Sequence, residues 1–510
     1  MPQLRDSSNS QPLPAQESDT SFERIFGIET EYGVSVTGIS HDSAQISEHS
    51  GGLTDAAHVA ARMFEPVMKT SHSSNTYTAN GSRLYLDVGS HPEYATAEAR
   101  TVRDAVLLDV AGERTMRELA LAAQSSLRDE LRDNALNVHV YKNNSDSRGH
   151  SFGCHENYLL RRSVSLSFLN RAFIPFLATR QIFAGAGTIR NGQFQISQRS
   201  DFLDDTISSA TTRSRPMINT RDEAHADARI YRRLHVIVGD SNISQRATWM
   251  KMMTAHLVLC ALECASRGCH DYEKEVGHQW PTLAHAGEDM KHVSRDCECN
   301  FFLSLTNGNT LTAVDIQKFY RTVAEKFLLF HGRDLARDIY DDAQECLKVW
   351  ETTLNDISSG SVHALSSWVD WAAKHELLTQ FKANGVSASR MAQVDLAYHD
   401  IAHRGVVDAL HRSGRIMPLY THDDISCAQS NAPQDTRAAL RAQFIQAAQE
   451  SPYEWSVDWT SVTVTDRNSR HCSAHLLNPF VYEQSREFRD VMAVLSKNQR
   501  IVNEPMLPLI

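Results

Sequence analysis

Gly27-Ile28-Glu29-Thr30-Glu31-Tyr32-Gly33 lies inside an alternating run from Arg24 to Val36 that reads as a strand whose two faces differ. Successive strand side chains point to opposite faces, so Glu29 and Glu31 project side by side from one of them. Adjacent carboxylates repel unless a cation neutralises them, and a hard, oxygen-loving ion such as Mg²⁺ is the natural partner. A solvated edge strand carrying charge is the plainer alternative.

Arg83-Leu84-Tyr85-Leu86-Asp87-Val88 alternates in the same way. Leu84, Leu86 and Val88 share an inward face, while Arg83, Tyr85 and Asp87 line the other with a cation, a phenol and a carboxylate. A surface ion pair between Arg83 and Asp87 would produce the same pattern. The continuation Gly89-Ser90-His91-Pro92-Glu93 adds a further carboxylate in a Gly/Pro turn. Further along, residues 210–235 hold six arginines against three acidic residues. Guanidinium forks match phosphate oxygens bidentately, which makes Arg213 and Arg215 candidate phosphate contacts, although no Walker-type glycine loop accompanies them. A solvated loop is the alternative there. His235, on the strand that follows, is a candidate metal ligand or phosphate contact.

Two polar clusters, Cys154-His155-Glu156-Asn157 and Lys142-Asn143-Asn144-Ser145-Asp146, suit substrate orientation and backbone satisfaction equally well. Cys264, Cys269, His270, Cys297 and Cys299 fit no standard zinc spacing.

Composition narrows the classes. The chain has 510 residues, 41% hydrophobic and 22% charged, with a net charge of −11 that argues against a general nucleic-acid binder. The apolar stretch 249–265 contains Lys251, His256 and Glu263, which argues against a membrane span. Residues 1–20 are polar and rich in Ser, Gln and Pro, and read as a disordered leader rather than a signal peptide. Nine scattered cysteines, an odd number, point to reduced thiols and a cytoplasmic setting. Helices are expected over 55–69, 102–132, 166–182, 247–267, 313–330, 335–355, 361–383 and 436–450. Strands are expected over 81–88, 138–142, 153–160, 234–238 and 454–465, giving an α+β chain. The polar, His/Cys-rich segment 268–307 reads as an insertion, and residues 416–510 as a small C-terminal domain beside a catalytic domain over 21–415.

Carboxylates, a base-like aspartate and a run of arginines are what activation of a carboxylate by ATP requires. Mg²⁺ and arginine neutralise a moving phosphoryl group, and a carboxylate deprotonates the attacking amine, otherwise an ammonium with pKa near ~10.4. The residues alone therefore point to an ATP-dependent carboxylate–amine ligase.

Gly27-Ile-Glu-Thr-Glu-Tyr-Gly33, Asn80-Gly-Ser-Arg-Leu-Tyr-Leu-Asp-Val-Gly-Ser-His-Pro-Glu-Tyr-Ala-Thr-Ala-Glu98, Ser208-Ser-Ala-Thr-Thr-Arg-Ser-Arg-Pro216 and Tyr231-Arg-Arg-Leu-His-Val-Ile-Val-Gly-Asp-Ser-Asn242 together resemble the Pup–protein ligases of actinobacteria. The similarity runs from about Phe22 to Val457-Asp-Trp459. It implies a glutamine-synthetase-like domain, with a concave antiparallel sheet backed by helices, and a small C-terminal domain. It also implies ATP-driven phosphorylation of the γ-carboxylate of the C-terminal Glu of Pup, a disordered ubiquitin-like tag. Attack by a lysine of a target protein then marks that target for the proteasome. By motif position, Glu29, Tyr85 and Glu93 would bind Mg²⁺, Asp87 would accept the proton, and Arg83, Thr96 and Trp459 would contact ATP. Glu31, His235, Arg213 and Arg215 rest on the electrostatic reasoning above. The related depupylase/deamidase is the alternative; Phe194-Gln-Ile-Ser-Gln-Arg-Ser-Asp201 reads closer to it, whereas Leu86-Asp87-Val88-Gly89-Ser90-His91 follows the ligase pattern. A non-catalytic Pup-binding adaptor and a small-molecule ligase of the glutamate–cysteine type are further alternatives.

Overall fold

The computed structural model describes residues 22–40, 54–71, 73–87, 89–146, 151–209, 215–466 and 469–496. The polar leader, Val88 and Arg213 lie outside them. In chain order the strands are β1 (Phe26–Glu31), β2 (Gly33–Thr37), β3 (Asn75–Tyr77), β4 (Arg83–Leu86), β5 (Pro92–Ala95), β6 (Asn137–Tyr141), β7 (Cys154–Arg161), β8 (Thr188–Arg190) and β9 (Gln193–Gln195). They are followed by β10 (Asp205–Ser208), β11 (Pro216–Asn219) and β12 (Tyr231–Val236). Eight of these form one sheet in the order β10-β11-β12-β7-β1-β5-β4-β3. It is antiparallel at every join except β10–β11.

One expected strand divides in two. The run 24–36 leaves the main sheet at Tyr32, whose side chain is fully buried, and continues as β2 paired with β6. Gly33 permits the turn-off, because a Cβ there would lie 3.1 Å from the Phe152 ring.

The main sheet has two unlike faces, as its alternation requires. Phe26, Ile28, Tyr94, Tyr158 and Leu234 point into the core. The helix Val102–Leu131 packs there, started by Thr101, whose hydroxyl accepts the Asp104 N–H at 3.0 Å. Its Gly112 allows the close approach, since a Cβ would sit 2.2 Å from the Tyr94 ring. The apolar stretch that could be mistaken for a membrane segment is the core helix Gln245–Ser266. Its charges are paired inside the protein: Lys251 Nζ donates to the Asp240 carbonyl at 2.7 Å, and Glu263 meets Arg24 at 2.9 Å. No described helix is long and apolar enough to cross a membrane.

Elsewhere the helical expectations need correction in detail. The single helix expected over 166–182 is three short ones, Leu166–Ala172, Ile174–Thr179 and Gln181–Ala184. Pro175 lies in the first turn of the second, where its missing N–H is harmless but would break a continuous helix. The segment 268–307 is not irregular throughout. It contains the helices Tyr272–Val276 and Ala286–Arg295, and Met290, Val293 and Leu303 join the main core. The helices Ala388–Ala397, Gly405–Arg412 and His422–Ser430 lie where the sequence pattern gives no helix.

The chain's C-terminal part builds its own small core from the helices Arg437–Gln449 and Arg486–Ser496 and a three-stranded sheet. After the hairpin β13 (Phe302–Ser304) and β14 (Thr310–Thr312), that sheet comprises β15 (Glu454–Val457), β16 (Ser461–Thr465) and β17 (His471–His475). The strand expected over 454–465 thus folds back on itself. Asp458 makes the turn, its Oδ1 accepting the Thr460 and Ser461 N–H groups at 2.6 and 2.8 Å. Trp459 stands at the tip.

A buried clamp joins this unit to the main sheet. Glu98, just beyond β5, accepts from Arg437 Nε at 2.7 Å and pairs with Arg441, while Thr436 Oγ1 donates to the Glu98 carbonyl at 3.0 Å. Burial alone would raise the Glu98 carboxyl, but the two guanidinium groups bring it down to about 2. Its folded-state pKa is therefore below its unfolded one, so the clamp's contribution is present above the ordinary carboxylate range and is lost as pH falls through that range toward 2. Replacing Glu98 with Ala should cost about 3–5 kcal/mol in denaturant unfolding, because two buried cations lose their partner. The acid limb of the variant's stability profile should also flatten. A loss under about 1 kcal/mol would contradict the clamp.

Candidate active site

Register determines what the open face of the sheet presents. Glu29 lies opposite Ala95 and His155, Glu31 opposite Glu93, Glu93 opposite Tyr85, and Asn157 opposite His235. Directly paired residues share a face, and residues two apart along a strand share it too. One surface therefore carries Arg83, Tyr85, Glu93, Glu31, Glu29, His155, Asn157, His235 and Arg233.

Two donor clusters form on it. In the first, single ligand atoms of Glu29, His155 and His235 all lie within 4.8 Å of one another; in the second, those of Glu31, Asp87 and Glu93 do. Glu29 is surrounded by donors: Asn157 Nδ2 at 3.2 Å, Arg233 Nη1 at 3.1 Å and His155 Nδ1 at 3.2 Å. Burial pushes its carboxyl up, but the His155 hydrogen bond and the positive charge of Arg233 hold it well below the usual carboxylate range. Burial, against the opposing pull of Glu29, drives the His235 imidazole down to about 3. His235 is thus neutral, and its buried Nδ1 makes no hydrogen bond, which leaves a lone pair available to a ligand.

Glu93 has the opposite character. Burial first, and then the Glu29 and Glu31 carboxylates, push it well above its ordinary range, with the Tyr85 hydroxyl donating to it. Burial also raises the Tyr85 phenol, and Glu93 adds to the effect. Glu31 accepts the Gly153 N–H at 2.9 Å. Asp87 is exposed at the end of β4, open to solvent beside these buried acids. Hard oxygens from Glu31, Asp87, Glu93 and Tyr85 suit Mg²⁺, and the mixed set around Glu29 suits a divalent cation that tolerates imidazole.

Beside the acids is a cavity of about 90 Å³, lined by Gly27, Ala95, Thr96, Leu159, His225 and Trp459 among others. Thr96 Oγ1 accepts the Ile28 N–H at 3.0 Å and so braces β1. Trp459 closes the other side, held by an edge contact with Tyr77 at 5.1 Å and by Arg441 at 4.9 Å from its ring. An open groove of about 870 Å³ shares Trp459 with that cavity and passes Arg83. Arg83 donates to Asn75 Oδ1 at 2.8 Å.

The structure thus brings together Glu29, Glu31, Arg83, Tyr85, Asp87, Glu93 and His235, with Thr96 and Trp459 at the adjoining cavity. Arg215 donates to the Ser151 carbonyl at 2.7 Å, two residues before Gly153, whose N–H donates to Glu31. The sequence leaves His155 and Asn157 in a polar cluster suited equally to substrate orientation and backbone satisfaction, and Arg233 as one member of an arginine-rich run. Their signal was the same period of two that singled out Glu29 and Glu31: His155 and Asn157 alternate with buried Cys154 and Glu156, and Arg233 precedes His235 by two.

Glu93→Gln replaces a carboxyl already forced toward its neutral form with a neutral isostere. Its urea midpoint should match or exceed that of the parent. A loss above about 2 kcal/mol would show that the charged form stabilises the fold.

A family model described as "Pup-ligase protein" matches residues 24–463. The Pup–protein ligase of Bifidobacterium longum subsp. infantis is 46% identical over 504 residues, covering 97% of this chain and 100% of that protein. The Bifidobacterium adolescentis Pup–protein ligase is likewise 46% identical, over 507 residues, with the same coverages. Among solved structures, the ligase PafA in complex with Pup superposes with a TM-score of 0.82 at 34% identity, over 95% of each chain. PafA in complex with ADP gives 0.75 at 36% identity, covering 86% of this chain and 94% of that one. With the family model spanning almost all of the described residues and relatives this similar along their full length, the chain belongs to the Pup-ligase family.

Proposed function

We propose that this chain is an ATP- and Mg²⁺-dependent ligase that joins the γ-carboxylate of the C-terminal Glu of Pup to a lysine ε-amine of target proteins. The observation that carries this proposal is the row of carboxylates on β1, β5 and β4 beside the Gly27–Trp459 cavity. The names of the relatives, all ligases, support conjugation over the depupylase alternative. Nine free cysteines suit a reducing cytoplasm.

Glu29, Tyr85 and Glu93 would hold the cation, with Glu31 and His235 beside them. When bound, Mg²⁺ supplies charge neutralisation to transferring phosphoryl oxygens. The cavity takes the base of the nucleotide, between the backbone of Gly27 and the ring of Trp459, with Thr96 bracing the strand beneath. Arg83 reaches the nucleotide from the groove side. Arg215 and Arg213, the latter outside the described residues, belong to the same nucleotide-contact proposal. Phosphoryl transfer converts the Pup carboxylate to an acyl phosphate and releases ADP. Asp87, exposed and flanked by acids, draws in the lysine ammonium and removes its proton as nitrogen attacks and inorganic phosphate departs. Packing supports a division later than residue 416: the helix His422–Ser430 lies on Val102–Leu131, and the separate C-terminal core begins at Leu440.

The test is conjugation of Pup ending in Glu to a lysine-bearing protein, read by mass spectrometry. Asp87→Asn should bind ATP and Pup but form no isopeptide; normal conjugation by this variant would remove Asp87 from the base role. Removing tag from a preformed conjugate, with none newly formed, would make the chain a depupylase. In Gly27→Val the added Cβ meets only ordinary contacts, 3.7 Å to Asn157 Cβ and Thr96 Oγ1, and the side chain lies on the strand face that lines the cavity. The variant should leave the circular dichroism unchanged and weaken ATP binding by ~10-fold or more, the size expected of overpacking by 1–3 kcal/mol. Unaltered affinity would place the nucleotide elsewhere.

A further inference from the structure

We propose that His139, Asp400 and His403 form a second metal site, on a different sheet from the carboxylate face, that takes a borderline divalent transition-metal ion such as Zn²⁺. Single ligand atoms of the three residues lie within 4.8 Å of one another. His139 stands on the outer face of the β2–β6 ribbon, opposite Ser35. Asp400 and His403 come from a loop more than 250 residues later in the chain, and backbone hydrogen bonds sew that loop onto β6. Lys142 N–H donates to the His399 carbonyl at 2.9 Å, and Ile401 N–H to the Val140 carbonyl at 2.9 Å. The three side chains are therefore carried on one preformed backbone rather than meeting by chance rotamers.

Each donor is also oriented from behind, which is how metal-ligating groups are held. Asp400 Oδ1 is occupied by the Ala402 and His403 N–H groups at 3.0 and 3.3 Å, which aims Oδ2 at His139 Nδ1, 2.8 Å away. His403 Nε2–H donates to the Val138 carbonyl at 3.0 Å, leaving Nδ1 as the unprotonated nitrogen of the neutral ring. His139 Nε2 lies 2.7 Å from Thr37 Oγ1. The two imidazoles have centroids 4.8 Å apart. Tetrahedral Zn²⁺ with bonds of ~2.0–2.1 Å separates its donors by roughly 3.3 Å, so His139 and Asp400 need open only slightly.

The protons balance without a co-reactant. On coordination through Nδ1, His139 takes its proton on Nε2 instead and donates it to Thr37 Oγ1, whose hydroxyl turns from donor to acceptor. Two imidazoles and one carboxylate favour Zn²⁺ over Mg²⁺, which prefers oxygen donors. Three protein ligands would leave one tetrahedral position for water, and the His139 side chain is 18% exposed.

Zn²⁺ titration calorimetry on the full chain, with excess Mg²⁺ present, tests this site. His155→Ala/His235→Ala serves as the control for the mixed cluster around Glu29. The expected result is one Zn²⁺ equivalent that survives the control substitutions and disappears in His403→Ala. Thr37→Val removes only the supporting hydroxyl and should weaken that equivalent about 10–100-fold. Co²⁺ bound in place of Zn²⁺ should give a tetrahedral visible absorption that both variants diminish. Zn²⁺ stoichiometry and affinity equal to the parent in His403→Ala and Thr37→Val, or parent binding lost entirely in the control, would overturn the proposal.

Discussion

The period of two along an antiparallel strand is the constraint on which everything else in this protein depends. β1 is buried on one face by the main core, so it cannot slip by one residue without turning Phe26 and Ile28 outward. Once that face is fixed, Glu29 and Glu31 have nowhere to go but the other, and the pairing with β5 sets Glu93 beside them. The hydrophobic effect on one side of the sheet thus holds like charges together on the opposite side. The strain shows in the opposed fates of the two acids: Glu29 is kept ionised by Arg233 and His155, while Glu93 is driven toward its neutral form. Such a face is incomplete on electrostatic grounds and is suited to receive positive charge.

Completing the site requires a residue from far along the chain. Trp459 reaches the sheet because three devices act in series. The Asp458 turn presents it, the cation and edge contacts of Arg441 and Tyr77 fix its ring, and the Glu98 clamp docks the unit that carries it. Arg441 takes part in two of them, since it also donates to the Trp459 carbonyl at 3.3 Å. Docking of this C-terminal unit and the geometry of the cavity are therefore one interaction seen at two scales.

Much of this was legible in the sequence where local periodicity and side-chain chemistry agreed. Glu29, Glu31, Tyr85 and Asp87 announced themselves by alternation, and the helix expected over 102–132 is present as Val102–Leu131. What escaped depended on tertiary partners. Arg233 looked like one member of an arginine-rich loop, and only the β12–β7–β1 order puts it on Glu29. Glu98 read as the last letter of a motif, and its two arginines lie over 330 residues away. The break of the first strand at Tyr32 had no local marker beyond Gly33, because its cause is the separate β6 partner. The helices of 388–430 are short and mostly exposed, so their apolar stripes are too narrow to read.

The most direct measurement is anomalous diffraction from crystals grown with Mn²⁺ and a non-hydrolysable ATP analogue. The expected result is a metal peak among the oxygens of Glu29, Tyr85 and Glu93, with the adenine ring between Gly27 and Trp459. A nucleotide bound elsewhere, or a metal held away from that carboxylate face, would contradict it.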